Sequence, residues 1–280
     1  MNTHVSTPLV FSDLDGSLLD HYSYSFQAAL PIVSALERLH IPLIFASSKT
    51  RSEILALREA LDNEHPFIVE NGAAVCVPRD YFLVQPAQTV ALGEYWVHEM
   101  APSRNHWLEL LANLQTEFPS GFDFFYNAGV AGVMEMTGLP EAQAINANTR
   151  DYSEPVKWLG DPQGETEFIQ RLRSEGASVL RGGRFLSVSG NCDKGRALTW
   201  LRNCYQKAAP TRLVEDLAIG DSNNDCLMLE AAHTALLIRS PVHDFPLLKR
   251  SKGVIYSQKF GSKGWAEGVE QWLHANTLLT

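Results

Sequence analysis

The stretch that most constrains this chain is Leu9-Val10-Phe11-Ser12-Asp13-Leu14-Asp15-Gly16-Ser17. A short apolar run ends abruptly in two aspartates at alternate positions, then a glycine. Such a run suits a strand buried on both faces, as in a parallel sheet covered by helices. The aspartates then fall where the strand leaves the sheet, and in open α/β sheets ligands bind at that carboxyl edge. Two carboxylates this close repel each other, which favours a bound cation or a shared proton. A plain Asp-Gly turn accounts for Asp15-Gly16 but gives no reason for Asp13 directly after an apolar strand.

The rhythm then repeats. Pro31 to Leu39 reads as a helix with Ile32, Val33, Leu36 and Leu39 on one face, and Ile41 to Ala46 as a second apolar strand. Thr50-Arg51-Ser52-Glu53 matches a capping box opening another helix through Ile54, Leu57 and Leu61. Phe67 to Val69 is a third strand, and Asn71-Gly72 signals a hairpin with Ala74 to Val77 returning. Strand and helix alternating at these spacings predict parallel βαβ architecture.

From about Phe82 the character changes to an aromatic-rich region without strict alternation. Helices are expected near Arg104–Glu117, Ala128–Met136, Glu141–Asn148 and Glu165–Glu175. Strands are expected near Phe122–Tyr126, Val156–Leu159, Val179–Leu180 and Phe185–Val188. After Gly190 the α/β rhythm returns: helix Lys194–Tyr205, strand Leu217–Ile219, helix Asn224–Ala232, strand Thr234–Ile238 and closing helix Lys263–Ala275. The expectation is an α/β fold, a Rossmann-like parallel-sheet core of residues 1–84 and 190–280 with an inserted α+β domain of residues 85–189.

A chain of 280 residues with net charge −9 can bury a sizeable core and lacks the general basic face that nucleic acid or an anionic membrane requires. Cys76, Cys192, Cys204 and Cys226 are scattered without zinc spacing, which suits free thiols in a reducing cytosol. Met1 to Pro8 shows no signal-peptide pattern, and no segment reaches the length of a membrane span, so a soluble cytoplasmic protein is expected.

Four features fall at expected strand ends or helix starts: Asp13-x-Asp15, Ser47, Lys194, and Gly220-Asp221-Ser222-Asn223-Asn224-Asp225. Each has an ordinary reading. Ser47 can belong to the loop before a capped helix, Lys194 can be a solvated lysine, and Gly220-Asp221 can be a turn. In this order and context, however, they resemble the four motifs of the haloacid dehalogenase-like phosphatases, and the match spans the whole α/β framework. The resemblance implies a nucleophile at Asp13 and an acid/base at Asp15. It further implies phosphate contacts from Ser47 and Lys194, with Mg²⁺ held by Asp13, Asp221 and the main-chain carbonyl of Asp15. Asn224 and Asp225 would orient the metal ligands. Phosphoryl transfer asks for such a set, because an anionic nucleophile approaching a phosphate dianion needs cations around the oxygens. The inserted region resembles a mobile cap, which excludes water and confers substrate choice. Glu70-Asn71-Gly72 is either a hairpin turn or a turn that also faces substrate.

Ser47-Ser48-Lys49-Thr50 stands where many relatives carry Thr-Gly-Arg, and Gly16-Ser17 where Gly-Thr is usual. With Arg150-Asp151-Tyr152-Ser153-Glu154-Pro155 and Gly182-Gly183-Arg184-Phe185, the first of these resembles the mannosyl-3-phosphoglycerate phosphatase branch of the family. That branch implies a small phosphorylated sugar or glycerate ester as partner. Lys49, Arg150 or Arg184 would then pair its carboxylate and Glu154 its hydroxyls, unless the arginines are simply solvated cap surface. Another sugar phosphate (sucrose phosphate, glucosyl-3-phosphoglycerate), a phosphomutase and a catalytically silent binding protein are the alternatives.

Overall fold

The computed structural model describes residues 6–182 and 184–278; Met1 to Val5, Gly183, Leu279 and Thr280 lie outside the described residues. The first part of the core comprises β1 (Ser6–Ser12), α1 (Leu30–Arg38), β2 (Leu43–Ala46), α2 (Arg51–Ala60), β3 (Phe67–Val69), β4 (Ala74–Pro78), β5 (Val90–Leu92) and β6 (Tyr95–Glu99). The insertion comprises α3 (Arg104–Leu114), β7 (Phe122–Phe124), α4 (Phe125–Thr137), α5 (Glu141–Asn148), β8 (Glu154–Trp158), α6 (Pro162–Ser174), β9 (Ser178–Gly182) and β10 (Phe185–Ser189). The chain returns to the core through α7 (Lys194–Ala208), β11 (Leu213–Gly220), α8 (Cys226–Ala231), β12 (Thr234–Arg239), β13 (Val254–Phe260) and α9 (Gly261–Ala275).

Among the described residues the core sheet has nine strands in the order β13-β12-β11-β1-β2-β3-β4-β6-β5. From β13 to β3 neighbouring strands pair parallel, and β4, β6 and β5 extend the sheet antiparallel. Both faces are covered. Val10, Phe45, Phe67 and Ile219 pack with Leu36, Ile54, Trp265 and Val269 of α1, α2 and α9. Leu9, Phe11, Ile44 and Ala218 pack with Leu198, Leu201 and Met228 of α7 and α8. Successive residues of β1 thus face opposite helical layers, which is why its run is continuously apolar.

The insertion is a four-stranded antiparallel sheet, β7-β8-β10-β9, with α3 and α6 against one face through Trp107, Leu111, Phe168 and Leu172. A smaller cluster of Phe125, Val133, Ala144 and Ala147 joins α4 to α5.

Several expectations change. Residues 90–99 form β5 and β6 of the core sheet, so the insertion begins after Met100 rather than at 85; exposed, aromatic edge strands looked from sequence like the start of a separate domain. β13 was not expected, because its solvent-facing residues weaken the apolar pattern. The strand at Phe122 ends at Phe124 and the following helix begins at once, at Phe125, with a break at Gly129 (φ 64°). The hairpin after β3 is present, but its turn is a short helical turn over Glu70–Gly72 in which Glu70 and Asn71 take left-handed φ of 48° and 61°. The Gly182–Phe185 reverse between β9 and β10 includes Gly183, which lies outside the described residues. The capping box at Thr50 and Glu53 forms as read, and the four cysteines are free, with Cys76 and Cys192 buried.

The closing helix braces β1. Trp265, fully buried on α9, donates from Nε1 to Ser12 Oγ at 2.9 Å, and that hydroxyl donates to the Asp13 carbonyl at 2.6 Å. Trp265→Phe should cost about 1 kcal/mol for the lost hydrogen bond. Trp265→Ala should cost about 3–5 kcal/mol for the cavity. Urea denaturation measures both, and an unchanged midpoint in Trp265→Phe would mean the indole hydrogen bond contributes nothing.

Candidate active site

The site forms where β1 and β11 end side by side. Ser12 pairs with Ile219 in register, and the Asp13 amide donates to the Ile219 carbonyl at 2.9 Å. Asp13 therefore leaves the sheet beside Asp221, two residues beyond Ile219. Gly16 allows the loops to touch: it has φ +80°, and a Cβ there would lie 2.5 Å from Asp221 Oδ2.

Lys194 is the first residue of α7, whose N-terminus is capped by the Asp193 carboxylate accepting from the Arg196 amide at 2.8 Å. Its ammonium is fully buried and donates to Asp13 Oδ1 at 2.6 Å and to Asp225 Oδ1 at 2.7 Å. The other oxygen of Asp225 accepts from the amides of Asp221 and Ser222 at 3.2 and 3.1 Å. Asn224 donates to Asn71 Oδ1 at 3.2 Å and accepts from the Ser222 hydroxyl at 2.6 Å, tying this loop to the turn after β3. Gly72 of that turn, with φ +91°, lies against α7, where a Cβ would sit 2.2 Å from the Asp193 carbonyl oxygen.

Three carboxylates crowd one ammonium. Asp13 is raised well above the usual carboxylate range, first by burial and then by Asp225, with Lys194 opposing. Asp221 is pushed up to about 6 by burial and by Asp225, with His243 (Nε2 to Oδ2, 3.6 Å) pulling the other way. Burial works against the charge on Lys194, but Asp13 and Asp225 outweigh it and hold the ammonium above its ordinary value. Among the described residues, Asp13, Asp221 and Asp225 each offer an oxygen within 4.8 Å of the others, a hard-oxygen set that fits a divalent cation. Both Asp225 oxygens already accept hydrogen bonds, so within this set the uncommitted oxygens belong to Asp13 and Asp221.

Asp15 is the departure. Its carboxylate does not join this cluster; Oδ2 lies 2.9 Å from Lys49 Nζ, and Oδ1 is buried without a hydrogen-bond partner. Lys49 also lies 3.9 Å from Glu53 and 5.7 Å from the centre of the Tyr24 ring. Ser47, almost fully buried after β2, accepts from the Lys49 amide at 3.2 Å, and its carbonyl accepts from the Asn71 amide at 2.8 Å. Its own proton remains free to donate.

The remaining residues named from sequence sit elsewhere in the fold. Arg150 pairs with buried Glu70 at 3.4 Å and donates to the Ser153 hydroxyl and the Ser48 carbonyl, so it joins cap to core. Glu154 is fully buried, paired with Arg104 and accepting from the Tyr126 amide at 2.8 Å. Arg184 donates to the carbonyls of Met136 and Thr137 at 3.1 Å and so caps the end of α4. Arg150 and Glu154 thus each have an oppositely charged partner within the fold, whereas Arg184 is exposed and meets main-chain carbonyls, with no acidic partner among the described residues.

Sequence reasoning missed Arg104 and His243, and named Glu70 only as part of a turn. Glu70 accepts from the amides of Asp151 (2.8 Å), Tyr152 (3.3 Å) and Ser153 (2.8 Å), which docks the cap segment onto the core. Its one sequence signal was an acidic residue entering a tight Asn-Gly turn. Arg104 and His243 carried none, being far along the chain from their partners.

Two measurements test this geometry. Gly72→Ala should cost about 1–3 kcal/mol of stability, since it combines a strained φ with a collision against α7. An unchanged urea midpoint would contradict the close approach. In metal-free protein, folding retains a proton on Asp221 that the unfolded chain releases near its ordinary value of 3.8. The contribution of Asp221 to stability should therefore be full below about pH 4 and be lost as pH rises through about 6, about 3 kcal/mol in all. Urea denaturation in EDTA across this range should show the slope, and Asp221→Asn should flatten it.

A family model described as haloacid dehalogenase-like hydrolase matches residues 10–92. The chain is 31% identical to the glucosyl-3-phosphoglycerate/mannosyl-3-phosphoglycerate phosphatase of Methanococcoides burtonii over 97% of its own length and 99% of the relative's. It is 35% identical to the mannosyl-3-phosphoglycerate phosphatase of Pyrococcus furiosus over 84% of its length and 93% of the relative's. A Bacteroides thetaiotaomicron phosphatase of the haloalkanoate superfamily shares the fold, with a TM-score of 0.65 at 17% identity over 99% of this chain and 97% of that one. The chain belongs to the haloacid dehalogenase-like phosphatases, is a phosphoric monoester hydrolase, and resembles the mannosyl-3-phosphoglycerate phosphatases.

Proposed function

We propose that the protein is a Mg²⁺-dependent phosphatase that hydrolyses 2-O-(α-mannosyl)-3-phosphoglycerate to mannosylglycerate and phosphate. The observation that carries the chemistry is the buried Lys194 bridge, which holds Asp13 at a sheet edge with one carboxylate oxygen uncommitted. Asp13 would attack phosphorus as the ester P–O bond breaks, giving an aspartyl-phosphate. Asp15 would give a proton to the departing alkoxide, then take one from the water that attacks phosphorus and returns Asp13 as a carboxylate. Ser47 would donate to a phosphoryl oxygen, and Lys194 would hold Asp13 in line while adding positive charge. Asp13, Asp221 and the Asp15 carbonyl would hold Mg²⁺, which when bound neutralises charge on the phosphoryl oxygens. Residues 101–189 would act as the cap that selects the ester.

The substrate rests on the names of the relatives, one of which carries both the glucosyl and the mannosyl ester. Purified protein with Mg²⁺ should rank mannosyl-3-phosphoglycerate first by kcat/KM in a panel that includes glucosyl-3-phosphoglycerate and sucrose phosphate. EDTA should abolish release of phosphate, and Asp13→Asn should lower kcat by at least about a thousandfold. Robust turnover by that variant would sink the nucleophile, and a higher rank for a neutral sugar phosphate would sink the substrate.

A further inference from the structure

Among the described residues the two sheets present four edge strands, β13 and β5 in the core and β7 and β9 in the insertion. An edge offers main-chain N–H and C=O groups to any approaching strand, and folded proteins blunt it with charge, bulges or cover. Three of the four edges are blunted in this way. β7 carries Asp123 and β9 carries Arg181. β13 carries Lys259 and has a register shift against β12. Its Gln258 and Lys259 amides also donate to the Glu267 carboxylate of α9, at 3.0 and 3.1 Å.

β5 has none of these devices. Val90-Ala91-Leu92 is exposed at every position, pairs with β6 without a bulge, and carries no charge. Beyond that ladder its main chain makes no hydrogen bond among the described residues. The whole stretch from Tyr81 to Gly93 lacks a charged side chain, in a chain of net charge −9. Leu83 and Val84, a few residues earlier, are apolar and exposed as well.

The strand that fits this edge best is the same edge of a second copy. Turned about a two-fold axis at Ala91, β5 meets a second β5 antiparallel. Val90 then lies opposite Leu92 of the second copy, and Ala91 opposite its own equivalent. These cross-strand pairs are aliphatic, and no like charges face each other although each copy is acidic overall. A basic segment drawn by the net charge would find no carboxylate on β5 to pair with.

We propose that the protein forms a two-fold dimer by antiparallel pairing of β5 with β5, so that one sheet runs through both copies. Sedimentation velocity of the full chain across about 1–100 µM should show a concentration-dependent species of twice the chain mass. Ala91→Lys and Ala91→Glu each place like charges directly opposite across the two-fold. Each alone should raise the dimer dissociation constant by about tenfold or more. An equimolar mixture of the two variants should restore the dimer through a Lys–Glu pair, which separates loss of the interface from loss of the fold. In Ala91→Cys, mild oxidation should link two chains through position 91, because directly opposed residues of such a pair lie about 4.5–5.5 Å apart at Cα, within disulfide reach. An unmodified protein that stays monomeric throughout this range would overturn the proposal. A dimer that survives both charge variants undiminished would overturn it too, since its interface would lie elsewhere.

Discussion

Everything in the site depends on one buried cation. Lys194 is fully enclosed, and an ammonium out of water is tolerated only when its charge is matched. Asp13 and Asp225 match it at 2.6 and 2.7 Å, one from the end of β1 and the other from the start of α8. The same contact keeps two carboxylates close that would otherwise repel. With Asp221 beside them the local charge remains negative, and a divalent cation completes such a set. The pairing thus fixes Asp13 and leaves uncompensated negative charge at one spot.

The framework around that contact is arranged to keep it rigid. Trp265 and Ser12 brace the backbone of Asp13 from the α9 side, and Asp193 starts α7 so that Lys194 projects inward. The turn after β3 touches everything at once. Asn71 meets Asn224 of the loop after β11, Gly72 lies against Asp193, and Glu70 receives the cap segment at Asp151 to Ser153. Two left-handed residues and a positive-φ glycine in succession make this the strained corner of the molecule. The inserted domain and the loop after β11 share that corner.

Much of this was legible in the chain. A continuous apolar run ending in Asp13 announces a strand covered on both sides, and the Thr50–Glu53 capping box sets a helix start to the residue. These are local signals, carried by neighbours in sequence. β5, β6 and β13 escaped notice because they pair near the sheet edges, where much of their surface meets solvent and the pattern of buried residues fades. The charged residues of the cap were legible as charges and not as roles. Arg150, Glu154 and Arg184 suggest anion or hydroxyl recognition when read singly, yet the fold supplies Arg150 and Glu154 with oppositely charged partners and Arg184 with main-chain carbonyls.

The sequence alone determined the α/β class, the order of the motifs and the identity of the residues at the sheet edge, because strand length, period and capping are properties of adjacent residues. Only the tertiary structure decided which charges meet. It gave Asp225 rather than the Asp15 side chain to the acidic cluster, turned Asp15 to Lys49, and made Glu70 the seat of the cap. The reason is physical: an ion pair is set by distance in space and by burial, and residues such as Asp13 and Lys194, 181 positions apart, meet only after the sheet has formed.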